Sequence, residues 1–203
     1  MSESLLDLQS ALAQRGALLE GHFRLSSGRH SDRFVQKFRI LEDPALLEPV
    51  SAMIAARFRD SNPTVVVGAA VGGILLAYEV ARQLGTKAIF VEKENGVPVL
   101  RRGFALSPAD RVLVVEDVVT TGLSVREVLG VVRHRGADVV GVGIVVARSE
   151  QSFVLRRAQD DNAQDDKIPV YALLNLPMIS YDAAECPQCR AGETVTDPGS
   201  RRA

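Results

Sequence analysis

The sequence predicts an α/β fold: a parallel twisted sheet flanked by helices. Three observations carry this. From residue 65 onward, short apolar runs alternate with stretches of helical period, the rhythm of a parallel sheet with helices on both faces. The runs are unbroken rather than alternating, as in VVV at 65–67 and VLVV at 112–115, so each reads as a buried strand. Glycines 85 and 136 stop the intervening helical stretches, as C-cap residues do.

Before the sheet, residues 5–19 place leucine and alanine at helical spacing, ending near Gly16. Residues 23–38 read as an extended hairpin or loop pair that turns at Ser26-Ser27-Gly28. Pro44 opens a helix that runs to Phe58, with proline in the first turn.

Within the sheet region, Val65–Val67 is a strand, 68–73 its loop and 74–84 a helix. Residues 87–91 form the next strand. Residues 92–110 are charged, with glycine and two prolines and no clear period, and read as a long mobile loop. Residues 111–115 form the central strand, 124–135 its helix, 139–147 another strand and 168–174 a late one. The polar stretch 151–167 ends in acid and reads as a solvated excursion. The tail from 187 to 203 reads as partly disordered. The expected organisation is one domain over residues 1–203: an N-terminal helix and hood at 1–60, an α/β core at 61–180 and a tail at 181–203.

Composition narrows the function. At 203 residues and 46% hydrophobic content, a sizeable core is expected. The formal net charge of −1 implies no basic face, so no nucleic-acid partner is expected. No apolar run approaches the about 20 residues needed to span a bilayer, and the N-terminus lacks the pattern of a signal peptide. A cytoplasmic protein with no membrane partner is the expectation.

The chemistry concentrates in residues 112–124, VLVVEDVVTTGLS. The apolar run 112–115 breaks off at adjacent carboxylates, Glu116 and Asp117. Two valines follow, then a turn rich in hydroxyls, Thr120-Thr121-Gly122-Leu123-Ser124, opening onto a helix. Open α/β sheets bind ligands at the carboxyl edge of their strands, and a helix N-terminus favours phosphate. An acceptor pair for sugar hydroxyls beside a phosphate cradle suits a phosphorylated sugar. The turn has no lysine, so it is not the nucleoside-triphosphate loop. Residues 68–73, GAAVGG, are a second phosphate-loop candidate, without the dinucleotide glycine pattern. Arg148 ends an apolar strand, where a guanidinium can grip a carboxylate through two parallel hydrogen bonds.

Residues 112–124 resemble the phosphoribosyl pyrophosphate (PRPP) motif of type I phosphoribosyltransferases. Together with GHFRLSSGRHSDRF at 21–34, VVVGAAVGGILLA at 65–77 and IVVARSE at 144–150, they resemble the orotate phosphoribosyltransferases. The resemblance implies a type I phosphoribosyltransferase-like fold with a small hood built by N-terminal segments, with or without C-terminal ones. It implies transfer of phosphoribose from PRPP to orotate, giving orotidine 5′-monophosphate and pyrophosphate on the route to UMP. Glu116 and Asp117 would hold the ribose hydroxyls, Asp117 being the stronger candidate. Val118, Val119, Thr120, Thr121, Gly122, Leu123 and Ser124 would wrap the 5′-phosphate, and Ala70, Val71 and Gly72 would meet the pyrophosphate. Arg148 would take the orotate carboxylate with Thr120 as a second contact, and Phe34 would stack near the base. Arg101, Arg102 and Lys93 would close over the leaving group. Mg²⁺ held mainly through substrate and a homodimer whose loop covers the neighbouring site complete the picture.

Departures from the family pattern cluster around the leaving group. The loop 94–110 lacks the usual lysine and histidine, Glu92-Lys93 stands where an Arg-Lys pair is usual, Ser26 replaces a lysine, and a lysine is missing around Gly72. Arg29, His30 and Arg33 are candidate substitutes. Two rival readings remain open: a type I transferase for another base, and a non-catalytic PRPP-binding regulator.

His22 and His30 show no metal spacing with cysteine or glutamate, and His134 reads as surface near a helix C-terminus. Cys186 and Cys189 form a C-x-x-C. They are the only cysteines, so zinc would need two pairs pooled in a dimer, and reduced surface thiols are the expectation.

Overall fold

The computed structural model describes residues 2–25, 27–148 and 168–198. Ser26, the acidic stretch 151–167 and the last five residues lie outside them. Helix α1 (Ser2–Gln14) leads into an antiparallel hairpin of β1 (Leu18–Arg24) and β2 (His30–Val35). A short α2 (Phe38–Leu41) and α3 (Pro44–Phe58) follow. The α3 start is fixed by Pro44 and by Asp43, whose side chain accepts from Ala45 N.

The remaining elements build one six-stranded sheet: β3 (Val65–Ala69), α4 (Gly72–Leu84), β4 (Lys87–Glu94), β5 (Val97–Val99), β6 (Arg111–Val119), α5 (Leu123–His134), β7 (Asp138–Ala147) and β8 (Val170–Asn175). The order is β5-β4-β3-β6-β7-β8, parallel except for β5 on β4. Val66, Leu113, Val115 and Val145 pack under α3 and α4. Val65, Val67, Val112, Val114 and Ile144 pack under α5. Both faces are thus covered, which explains the unbroken apolar runs. Gly141 and Gly143 of β7 admit Phe58 and Ile54 of α3; a Cβ on Gly141 would stand 2.2 Å from the Phe58 ring.

The order of strand addition reverses between the parallel neighbours β3 and β6. The β3-α4-β4 unit steps outward to one edge of the sheet and β6-α5-β7-β8 to the other. Such a switch point opens a crevice at the carboxyl ends of its two strands.

Two expectations require correction, and a third is tested only in part. Residues 92–110 are not a long mobile loop: β4 continues to Glu94, turns at Asn95-Gly96 and returns as β5. An Asn-Gly pair is a strong hairpin signal, because both residues tolerate positive φ. Beyond it, Leu106 is buried and Phe104 packs edge-on against Phe90, 5.1 Å between ring centres. Of the tail expected to be partly disordered, the described part, to Pro198, is folded, and the last five residues lie outside the described residues. The folded part forms α6 (Pro187–Arg190) and bridges the hairpin through Phe23 with Thr196 and His30 with Tyr181. Finally, His22 and His30 do not lie apart from the cysteines: the tail sets Cys186 and Cys189 against them. No spacing rule on one strand could show a cluster assembled from residues more than 150 positions apart.

Candidate active site

Strand β6 runs four residues further than its apolar pattern suggested, to Val119. The two carboxylates therefore sit within the strand, and strand geometry sends consecutive side chains to opposite faces. Glu116 follows Val112 and Val114 towards α5, whereas Asp117 follows Leu113 and Val115 towards α4. Both are buried, Asp117 at 1% exposure.

On the α5 side, Glu116 lines a small open cradle together with Val118, Val119, Thr120, Thr121, Gly122, Leu123, Ser124 and Val125. The turn is made by Gly122, whose φ of 73° places it in the left-handed region just before α5. Thr120, Thr121 and Ser124 are exposed around the opening. Leu123 N lies 3.4 Å from Thr121 Oγ1. Glu116 Oε1 accepts weakly from the Asp117 amide at 3.3 Å. Burial, reinforced by the Asp117 charge, pushes the Glu116 carboxyl up to about 8.

This shift has a testable consequence. Between its ordinary value of 4.5 and about 8, Glu116 keeps its proton in the native state and loses it on unfolding. Stability present below pH 4.5 is therefore lost as pH rises through 8, by an amount on the order of a few kcal/mol. Urea unfolding of the free protein should show this decline. Glu116→Gln should flatten it, leaving the variant the more stable of the two above pH 8.

On the α4 side, Asp117 Oδ1 accepts from Val118 N at 2.6 Å. Its Oδ2 has no hydrogen-bond donor but stands 3.1 Å from Lys37 Nζ as an ion pair. Gly72 is required here: a Cβ would fall 2.0 Å from Asp117 Oδ2 and 2.9 Å from Lys37 Nζ. Gly68 and Gly73 approach each other as closely, with a Cβ on Gly68 only 2.1 Å from Gly73 O. The β3–α4 loop is thus pressed onto the β6 carboxylate. Ala70 and Val71 remain exposed at its tip, and the peptide between them is cis.

Lys37 escaped the sequence reading. It lies three residues beyond Phe34, past the end of the motif-bearing segment, and nothing local marks it. Folding carries it from the hairpin exit across to Asp117.

Arg148 follows β7 beside the turn, its amide donating to Val119 O at 2.9 Å. Its guanidinium is half-buried, with Nε 3.0 Å from Met178 Sδ, and burial lowers its pKa. Among the described residues it has no carboxylate partner.

The remaining candidates scatter. Phe34 packs on Phe23, 5.9 Å between ring centres. Lys93 pairs with Glu127 at 2.8 Å and lines a small pocket with Ala69, Ala70 and Ser124. Arg101 pairs with Glu94 at 3.0 Å and Arg102 with Glu92 at 3.1 Å, so within one chain their charges are spent on their own hairpin. The candidate substitutes are committed elsewhere: Arg29 to Ser180 and Asp182, Arg33 near Glu20, and His30 to the His–Cys cluster.

Residues 38–166 match the phosphoribosyl transferase domain family. Orotate phosphoribosyltransferase of Pelotomaculum thermopropionicum is 45% identical over 97% of each chain. That of Caldanaerobacter subterraneus subsp. tengcongensis is 46% identical over 90% of each. The chain belongs to the orotate phosphoribosyltransferase family. The crystal structure of orotate phosphoribosyltransferase from Aeropyrum pernix superposes with a TM-score of 0.66 at 26% identity, over 83% of this chain and 93% of that one. An adenine phosphoribosyltransferase from Leishmania tarentolae scores 0.65 at 20% identity, over 83% of this chain and 87% of that one, a likeness of fold alone. The type I phosphoribosyltransferase fold is therefore shared across bases, while sequence sets this chain among the orotate phosphoribosyltransferases.

Proposed function

We propose that the chain, acting as one domain, joins orotate to PRPP, forming orotidine 5′-monophosphate and pyrophosphate in pyrimidine biosynthesis. The observation that carries the reading is the pairing of a phosphate cradle with a half-buried guanidinium that has no carboxylate partner among the described residues, one register step away. Val119 and Ala147 are paired across β6 and β7, so Thr120 and Arg148 leave the sheet side by side. The cradle suits the 5′-phosphate, and Arg148 suits the carboxylate that distinguishes orotate from uracil.

In the reaction the bond from C1′ to the pyrophosphate oxygen breaks and a bond from orotate N1 to C1′ forms, with inversion. Positive charge develops on the ribose ring, and the Asp117 carboxylate is placed to stabilise it, while Glu116, protonated below about pH 8 in the free protein, would hydrogen-bond a ribose hydroxyl. Glu116 on the cradle side and Asp117 on the α4 side would hold the ribose from two directions. The tip at Ala70, Val71 and Gly72 would receive pyrophosphate through backbone amides. Lys37 stands where the family lysine is missing around Gly72, and so would supply the leaving-group cation from another element.

Mg²⁺ fits this arrangement when carried by substrate. The carboxylates point to opposite faces and form no cage, and Asp117 Oδ2, which takes no hydrogen bond beside its ion pair with Lys37, keeps lone-pair capacity for a water of the hydrated ion. The ion, when bound, would neutralise charge on the departing pyrophosphate. Val71, Leu75 and Tyr78 form an exposed apolar stripe at the start of α4, which supports a homodimer. Across such an interface Arg101 and Arg102 could serve the partner's site. In the described residues no helix is long and apolar enough to cross a membrane, and the composition favours neither nucleic acid nor lipid as partner. A cytoplasmic enzyme is the consistent setting.

Turnover of PRPP with orotate, compared with adenine, hypoxanthine, guanine and uracil, tests the reading. Orotate should be preferred by orders of magnitude in kcat/KM. Preference for a purine, or PRPP binding without turnover of any base, would overturn it.

A further inference from the structure

We propose that His22, His30, Cys186 and Cys189 form a structural zinc site that locks the C-terminal segment onto the N-terminal hairpin. The four side chains each offer one ligand atom, and these atoms lie within 4.8 Å of one another. His22 Nε2 is 2.8 Å from His30 Nδ1, 3.5 Å from Cys186 Sγ and 3.6 Å from Cys189 Sγ. Cys189 Sγ is 3.2 Å from His30 Nδ1. Zinc bonds of about 2.3 Å to sulfur and about 2.0–2.1 Å to nitrogen imply tetrahedral edges of roughly 3.3–3.8 Å. A nitrogen–sulfur edge is about 3.5–3.6 Å: both His22–Cys contacts match it, the Cys189–His30 contact is about 0.3 Å short, the two nitrogens need separate by about half an ångström, and the remaining ligand distances stay within 4.8 Å.

The chemistry of the donor set agrees. His22 Nδ1 lies 3.0 Å from the carbonyl of Glu193. A carbonyl only accepts, so Nδ1 carries the proton and Nε2 turns its lone pair towards the sulfurs. A second ring nitrogen fixed on a backbone carbonyl is the usual support of a metal-bound histidine. Two thiolates and two imidazoles in tetrahedral array select zinc among the common divalent ions. With four protein ligands no position is left for substrate, which makes the role structural.

The surroundings explain what such a site would do. His22 sits at the irregular point of β1, where the register shifts between Glu20 and Phe23, and His30 begins β2. Both cysteines lie in the turn of α6. On either side the same segment grips the hairpin: His30 and Tyr181 exchange backbone hydrogen bonds at 2.8 Å, and Thr196 N donates to His22 O at 2.8 Å. The clamp would close a loop of more than 150 residues between hairpin and tail. The hairpin in turn carries Phe34 and leads to Lys37, so the ion would stiffen the support of the active site without entering it.

The full-length protein, purified without chelators, should contain about one zinc per chain by plasma mass spectrometry. After exchange for Co²⁺ it should show the intense visible bands of a four-coordinate ion and a thiolate charge-transfer band in the near ultraviolet. Cys189→Ser and His30→Ala should each lose the metal and melt at least several degrees lower. These variants could fold poorly, so the decisive measurement is on the unaltered chain. Failure to bind Zn²⁺ or Co²⁺ on titration, with both thiols free to react, would overturn the proposal, as would Co²⁺ bound without a thiolate band. None of these readouts depends on which base the enzyme uses.

Discussion

Replacing Arg148 by methionine should lower kcat/KM for orotate by about 10²–10³-fold while leaving the slow reaction with uracil unchanged. Truncating one partner of a desolvated, hydrogen-bonded charge pair costs about 2–5 kcal/mol, and each 1.36 kcal/mol is a factor of ten in rate. Arg148 meets the conditions for a cost in that range. It is half-buried, and among the described residues it has no acid beside it and its one polar side-chain contact is a thioether, which methionine forgoes cheaply. Uracil lacks the carboxylate and so never gained the interaction. The ratio of the two rate constants is therefore the measurement, and a general loss of folding or PRPP binding would lower both together. Stability should move the other way. Burial opposes the charge on Arg148, and methionine removes that opposition, so the variant should melt no lower than the parent. An unchanged orotate-to-uracil ratio would remove Arg148 from base recognition.

Much of this site was legible in the sequence because its parts are local. The cradle is one turn, residues 120–124, made by a left-handed Gly122 and the start of α5. The β3–α4 loop likewise lies between two strongly patterned elements. What escaped was of two kinds. The face on which each carboxylate lands depends on how far β6 continues, and two polar residues amid valines read as the end of a strand when they are its interior. The partners brought by distant elements were invisible. Lys37 meets Asp117 across 80 positions, and His22 meets Cys186 across 164. No period or spacing in the chain encodes those meetings. The stretch around Gly72 shows the limit well, since it holds no lysine in sequence yet Lys37 Nζ comes within 2.9 Å of where a Gly72 side chain would begin. The misread segment 92–110 was a different failure, for its Asn-Gly turn and flanking valines were local and sufficient.

Asp117→Asn should reduce kcat by about 10³-fold with a change in unfolding free energy of no more than about 1 kcal/mol. The small structural cost follows from the contacts. The bond from Val118 N to Oδ1 survives, because an amide oxygen accepts as well as a carboxylate oxygen. The ion pair with Lys37 is lost, but that lysine is 38% exposed and can turn its ammonium to water. The large catalytic cost follows from charge. A preorganised group facing charge that develops in the transition state is worth about 10²–10³ in kcat, and asparagine keeps the shape of aspartate while removing that charge. The partner variant Lys37→Met separates two roles. If Lys37 serves only to hold Asp117, its loss should leave the KM for PRPP near the parental value. If it also meets pyrophosphate, KM for PRPP should rise, and the rate of the reverse reaction from pyrophosphate should fall with it. Steady-state kinetics in both directions, with urea unfolding alongside, tests each variant. Near-parental turnover by Asp117→Asn would mean that the buried carboxylate only anchors the lysine and the β3–α4 loop.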